Sequence, residues 1–265
     1  MTIPTPSPAR IHDFEVVENV AVAEGIHRLV LHAPALAAQL KPGQFLSIKV
    51  PGDATQLQRL PFSFSRADAE AGTVEVVYAV VGDGTRRLAQ MQPGDASTVL
   101  GPGGHGWRWP SGTKRALVVA GGIGITPIVA AGGALAKAGI AFDAVVGTLT
   151  AAKLWGTGEL TSAGAGEVRV TTDDGSEGTR GFVTAEVAPM LEQGGYDVVL
   201  ACGPEPMMHA VADVAEAHAV PCMVSMERMM TCGFGACATC VVETTSGNVG
   251  ACMGGPVFDA RKVVW

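Results

Sequence analysis

Residues 115–139 read RALVVAGGIGITPIVAAGGALAKAG, and two architectures compete for them. Ala116 to Ala136 is 21 residues without a charge, about the length that crosses a bilayer. Against a span stand the five glycines and Pro127 inside it, with no basic flank arranged to orient an inserted helix. The better reading is a buried parallel strand, ALVVA, then a glycine-rich turn, then a helix, PIVAAGGALAKAG, packed closely on a sheet. Val118 to Ile128 then set Gly121, Gly122, Gly124 and Thr126 where a dinucleotide pyrophosphate meets free amides. The turn reads G-G-x-G-x-T-P, not G-x-G-x-x-G, so by itself it is a modest signal.

Downstream, AFDAVVGTL, EVRVTTDD, a helix near 184–193, YDVVLACGP and a helix near 206–218 alternate strand with helix. That alternation, over about 113–220, predicts a doubly wound parallel sheet. LACGPEPMM ends a strand with Cys202, Gly203 and Pro204 at its carboxyl edge, where ligands bind in open α/β sheets. A small thiol followed by Gly-Pro leaves room for a nicotinamide ring; equally, Pro206 marks a plain helix start. No strong reader of the adenosine ribose stands out after GTLT, Gly147 to Thr150, and Lys153 is the nearest cation. NADH is therefore preferred over NADPH.

Upstream, residues 11 to about 110 alternate short β-rich runs with turn signals such as KPG and QPGD, which predicts an antiparallel barrel. RLPFSFS, Arg59 to Ser65, puts an aromatic, a hydroxyl and a cation on one strand. A flavin asks for an apolar surface against its ring and a hydrogen-bond partner near its reactive nitrogen, which Phe62 and Ser63 supply in this reading. Core and surface faces of an ordinary strand would give the same pattern. VVGDGTRRLAQM leaves a strand through Gly82 and Gly84 and enters a helix at Thr85. Amides at such a start bind anions, though a capped turn uses the same residues.

Near the end stands TCGFGACATCVVETTSGNVGAC, with Cys232, Cys237, Cys240 and Cys252 at C-x4-C-x2-C-x11-C spacing. Three thiolates on one tight loop and a fourth from farther along suit a plant-type 2Fe–2S cluster. Structural zinc would more often show two C-x2-C knuckles, and only Cys237 and Cys240 form one. The 45-residue piece 221–265 is expected to be ordered largely by its metal.

Composition narrows the classes. The 48% hydrophobic and 16% charged content describes a globular protein, and the net charge of −7 argues against nucleic acid. Cys202 and Cys222 read as reduced thiols of a cytoplasmic protein, and MTIPTPSPAR lacks the apolar segment of a secretory signal.

Taken in order, the motifs resemble the ferredoxin reductase superfamily, and within it the electron-transfer subunits of NAD-dependent, heteromeric dihydroorotate dehydrogenase. The resemblance spans nearly the whole chain and is carried by LGPGGHGW, AGGIGITP, TTDDGSEGTRGFVT, CGPEPMM, ERMMTCGFGACATCVV and CMGGPVFDARKVVW. It implies three parts: a β-barrel FAD domain over 1–112, an α/β NAD domain over 113–220, and a 2Fe–2S segment over 221–265 held by the four cysteines. FAD is expected on Arg59, Leu60, Pro61, Phe62 and Ser63, on Val77, Tyr78 and Ala79, and on Gly84 and Thr85. NAD is expected on the turn glycines, Thr126, Cys202, Gly203 and Pro204, with Ser63 and Cys202 assisting hydride transfer.

The partner implied is an FMN-containing subunit that oxidises dihydroorotate, in a heterotetramer of two copies each. Met229, Met230 and Phe234 are candidate partner contacts, with core packing the favoured role for any one of them. Related subunits serve sulfide dehydrogenases, bifurcating transhydrogenases and glutamate-synthase-like complexes, and a zinc-binding scaffold module is the non-enzymatic alternative. Two cations depart from the family pattern. Leu60 stands where relatives carry Arg, with Arg59 one residue early and on the opposite strand face, and Ala79 follows Tyr78 where relatives carry Arg.

Overall fold

The computed structural model describes residues 9–51 and 58–265; most of the N-terminal stretch read above lies outside them. Its first part comprises β1 (Arg10–Ala23), β2 (Ile26–His32), α1 (Pro34–Ala37), β3 (Phe45–Ile48), β4 (Leu60–Ser63), β5 (Arg66–Asp68), β6 (Thr73–Ala79), α2 (Asp83–Leu88) and β7 (Ala96–Gly103). The sheet order is β4-β3-β7-β1-β2-β6-β5. β4 and β5 sit at opposite edges yet only Phe64 and Ser65 connect them, so the sheet must roll up until its edges meet. Alternation drives the rolling: Leu29 and Leu31 of β2, Leu46 and Ile48 of β3, and Val74 and Val76 of β6 are fully buried inside. α2 begins at Asp83, two residues before the expected Thr85.

The second part comprises β8 (Arg115–Gly121), α3 (Ile125–Lys137), β9 (Ala141–Thr148), α4 (Thr157–Ser162), β10 (Val168–Thr172), β11 (Thr179–Arg180), α5 (Thr184–Gln193), β12 (Val198–Cys202), α6 (Glu205–Ala217) and β13 (Cys222–Ser225). After it come β14 (Val241–Thr244), β15 (Gly247–Gly250), α7 (Ala251–Gly254) and β16 (Val257–Asp259). The second sheet, also seven-stranded, runs β11-β10-β9-β8-β12-β13-β16, parallel except for the edge strand β16. Every residue of β8 after Arg115, and every residue of β12, is buried because helices cover both faces. The chain order reverses between β8 and β12, and a crevice opens there at the carboxyl ends of the strands.

The boundary at 220 needs correcting. β13 pairs in parallel with β12, and β16 returns to pair with β13, so the sheet takes strands from both ends of the cysteine segment. A four-residue strand directly after a helix carries too little periodicity to be read from sequence. The hairpin of β14 and β15 and the turn α7 stand outside the sheet, and Thr244 bridges back to Val263.

Among the described residues, one charged side chain is buried in the apolar sheet. Asp143, on β9, accepts from Arg115 (Nη2, 2.6 Å), from the Tyr196 hydroxyl (3.0 Å) and from the Glu167 amide (2.8 Å). Burial, then this carboxylate, pushes the Tyr196 hydroxyl up to about 12. Asp143→Ala should cost about 2 kcal/mol, the low end for breaking a buried pair because Arg115 reaches solvent. Asp143→Asn should cost about half that. Urea unfolding of the variants checks the order.

Candidate functional site

The start of α3 is bound to the barrel by two buried hydrogen bonds. Thr126 donates its hydroxyl to the Val77 carbonyl of β6 (2.9 Å), and Trp107 donates its indole N–H to the Pro127 carbonyl (3.1 Å). Thr126, expected on a pyrophosphate, instead spends its hydroxyl on joining the two parts. A cavity of about 690 Å³ lies beside this joint, a size that suits a nucleotide ligand. Gly25, Ile26, Ala79, Val80 and Val81 wall it from the barrel, and Gly121, Gly122, Gly147, Thr148 and Pro204 from the carboxyl edge of the sheet. A second cleft of about 210 Å³ shares Gly121, Gly122, Ile123 and Pro204 and adds Gly124, Gly203, Glu205 and Glu227. The expected glycines and Pro204 are thus brought together at one crevice.

Gly124 serves packing: a Cβ there would fall on the Cys202 carbonyl, so helix and strand close up only around glycine. Cys202 is 1% exposed, lines neither cavity, and directs its thiol to the Ser225 carbonyl (3.5 Å). Burial raises that thiol well above its ordinary range. Glu227, to which sequence reasoning gave no role, opens onto the smaller cleft, and loss of solvation raises its carboxyl above the usual carboxylate range. Only the fold could bring it there, since β13 carries it to the edge beside β12.

On the barrel, Leu60 to Ser63 are all half-buried. Leu60 and Phe62 pack on the barrel core, Phe62 with its ring 5.5 Å from that of Tyr78, while Pro61 and Ser63 take the alternate face. Ser63 keeps its hydroxyl without a partner among the described residues. Arg59 gives both guanidinium nitrogens to Thr98 on β7, so its charge is used as a brace. Tyr78 is buried and donates to Asn19 (3.3 Å), whereas Val77 offers its carbonyl and Ala79 lines the cavity. The Thr85 hydroxyl is consumed by the amides of Val81 and Gly82 (2.9 and 3.0 Å), which caps α2. The Asp83 and Gly84 amides stay unpaired as at any helix start. A half-exposed apolar strand, a free hydroxyl and free amides fit a flavin nucleotide.

Cys240 and Cys252 are buried, Cys232 is half-buried and Cys237 is exposed. Among the described residues no three potential ligands converge on a single ion position. The sulfurs accept hydrogen bonds from the loop itself: Cys232 from the Ala236 amide (3.3 Å), Cys237 from the Thr239 hydroxyl (3.1 Å) and Cys240 from the Cys252 amide (3.4 Å). Four-coordinate zinc needs all four around one ion. A binuclear cluster spreads four thiolates over two irons and suits three cysteines on one loop with a fourth from farther along. Gly233, at φ +76°, brings the loop onto β3, where a Cβ would stand 3.3 Å from the Ser47 hydroxyl and 3.7 Å from the Phe45 ring. Gln58 donates to the Met230 carbonyl (3.0 Å), so the loop also touches the approach to β4. Met230 is buried, while Met229 and Phe234 are exposed.

A barrel with a flavin face, a dinucleotide-type sheet and a four-thiol loop define a flavin- and iron–sulfur-dependent reductase. The family model for the iron–sulfur cluster binding domain of dihydroorotate dehydrogenase B matches residues 227–264, and that for the oxidoreductase FAD-binding domain matches 13–107. The electron transfer subunit of dihydroorotate dehydrogenase B (NAD(+)) from Bacillus caldolyticus is 40% identical over 256 residues, covering 94% of this chain and 96% of its own. That from Clostridium acetobutylicum is 36% identical over 250 residues, with the same coverage. A solved NADH-dependent reduced ferredoxin-NADP oxidoreductase, described for flavin-based electron bifurcation, superposes with TM-score 0.85 at 29% identity, over 95% of this chain and 90% of its own. Phthalate dioxygenase reductase, at TM-score 0.64 and 20% identity over 89% and 87%, shares the fold. The chain belongs to the family of dihydroorotate dehydrogenase B (NAD(+)) electron transfer subunits. Among the described residues no helix is long and apolar enough to cross a membrane.

Two outcomes are expected from this geometry. Thr126→Val leaves the Val77 carbonyl unpaired and should cost about 1–2 kcal/mol in thermal or urea unfolding. The Thr239 hydroxyl and amide pull the Cys237 thiol down to about 6 in the metal-free chain. A lowered thiol pKa means thiolate above about 6, so iodoacetamide should label Cys237 rapidly at pH 7 and more slowly as pH falls through 6. Cys202 should stay unlabelled throughout. Mass mapping after a short pulse reads both.

Proposed function

We propose that this chain receives electrons from an FMN-containing partner that oxidises dihydroorotate to orotate, and delivers them to NAD⁺. The observation that carries the reading is the position of the cysteine loop. It touches β3 and the entry to β4, and it leaves Cys237, Phe234 and Met229 exposed. When bound, the cluster supplies single-electron transfer, and the flavin exchanges one or two electrons and a hydride with NAD.

The chain's own residues do the positioning. Cys232, Cys237, Cys240 and Cys252 hold the cluster, with Cys240 and Cys252 buried. Leu60 to Ser63 carry the flavin, and Ser63 offers it a hydrogen bond. Val80 and Val81 keep the cavity wall apolar and shed water. Cys202 shapes the crevice through its backbone, its thiol being committed to Ser225. Phe234 and Met229 form the partner face, in a cytoplasmic heterotetramer of two copies of each subunit.

The bifurcating oxidoreductase fold is the competing assignment, and the higher identity of the dihydroorotate dehydrogenase relatives over the full chain favours the first. Anaerobic NADH should bleach the flavin of the purified chain, and the co-purified complex should reduce NAD⁺ with dihydroorotate. Cys252→Ser should erase the binuclear spin-resonance signal and the dihydroorotate-dependent rate while NADH still bleaches the flavin. A complex that binds no FMN subunit and ignores dihydroorotate would sink the proposal.

A further inference from the structure

Arg228 stands where the chain leaves β13 for the cysteine loop, between the nucleotide crevice and the cluster ligands. Its guanidinium reaches both. On the crevice side Nη1 pairs with the Glu205 carboxylate (2.7 Å), at the first turn of α6 and on the wall of the smaller cleft. On the loop side Nε donates to the Val241 carbonyl (3.2 Å), while Nη1 also donates to the Glu227 carbonyl (2.9 Å). Three acceptors fix the planar fork in one orientation.

Val241 directly follows Cys240, so the charge is held beside the inner end of the loop. There the Cys240 carbonyl accepts from the Ala251 amide (2.7 Å) and the Cys240 sulfur from the Cys252 amide (3.4 Å). Both cysteines are buried, and the side chains of Arg228 and Glu205 are only 26% and 43% exposed. A charge next to buried thiolates is screened less than one on open surface. A binuclear cluster gains one negative charge on reduction. A nearby cation therefore favours the reduced form, and a nearby carboxylate opposes it.

We infer that Arg228 is a positioning residue that fixes one positive charge beside Cys240 and raises the reduction potential of the cluster, and that Glu205 limits the rise. The inference rests on Cys240 and Cys252 being cluster ligands. Because Glu205 also walls the cleft with Gly203 and Pro204, the charge that tunes the cluster is anchored on the helix that borders the nucleotide crevice. A purely mechanical brace would act differently. Loss of either partner would then loosen the same loop and move the potential in the same direction, whereas opposite charges move it in opposite directions.

Potentiometric titration of the flavin- and cluster-loaded chain, read by the binuclear spin-resonance signal, tests this without turnover. Arg228→Gln should lower the equilibrium constant for cluster reduction about tenfold, ~59 mV for one electron. Glu205→Gln should raise it about threefold, the smaller effect reflecting a more exposed carboxylate. Arg228→Lys keeps the charge but not the fork, and should stay within about twofold of wild type. If Arg228→Gln assembles no cluster, the shifts in Glu205→Gln and Arg228→Lys decide. Shifts of one sign in Arg228→Gln and Glu205→Gln, no shift in Glu205→Gln, or a full shift in Arg228→Lys would overturn the inference and leave the cluster reading intact. A wild-type chain without a binuclear signal would overturn both.

Discussion

The joint between α3 and the barrel is the constraint on which the molecule turns. A barrel and a parallel sheet meeting only through apolar contact could slide past one another. The Thr126 hydroxyl on Val77 and the Trp107 indole on Pro127 are directional and buried, so sliding would strand a carbonyl or an N–H without water. Both bonds land at the amino end of α3, beside the glycine turn that ends β8. The crevice at the reversal of strand order is therefore held open against Ala79 to Val81.

The cysteine loop is set by the same economy of contacts. Its flanks are strands of the parallel sheet, β13 before and β16 after, so the loop is suspended from the part that binds NAD while its tip rests on the part that binds flavin. The graded exposure of its thiols, from Cys237 at the surface to Cys240 and Cys252 within, gives the loop an outer and an inner end.

Much of the architecture was legible from residue order. Alternation over 11–110 marked the barrel, the buried runs and helices after 113 marked the parallel sheet, and the thiol spacing marked the cluster. The side-chain assignments were less legible. Thr126, Thr85 and Arg59 are hydrogen-bonding residues in ligand-binding motifs, and each turned out to hold protein to protein. A hydroxyl or guanidinium beside a glycine turn serves a cap, a brace or a phosphate equally well, and its sequence neighbours do not say which. Cys202 was placed at the right edge, but its thiol lies on the core side of the strand, since neighbouring strand positions face opposite ways.

Local chemistry alone pointed to iron at Cys232, Cys237, Cys240 and Cys252, because ligand spacing on a tight loop is a property of a few consecutive residues. It also settled the periods that make a barrel and a doubly wound sheet, because these repeat over short windows. Only the tertiary structure decided that 222–225 and 257–259 belong to the sheet, that Cys240 and Cys252 are buried while Cys237 is exposed, and that Asp173, Glu227 and Lys153 face clefts lined by distant strands. Those are relations between segments far apart in the chain, created when apolar faces pack and crossover connections close, and no window of sequence contains them.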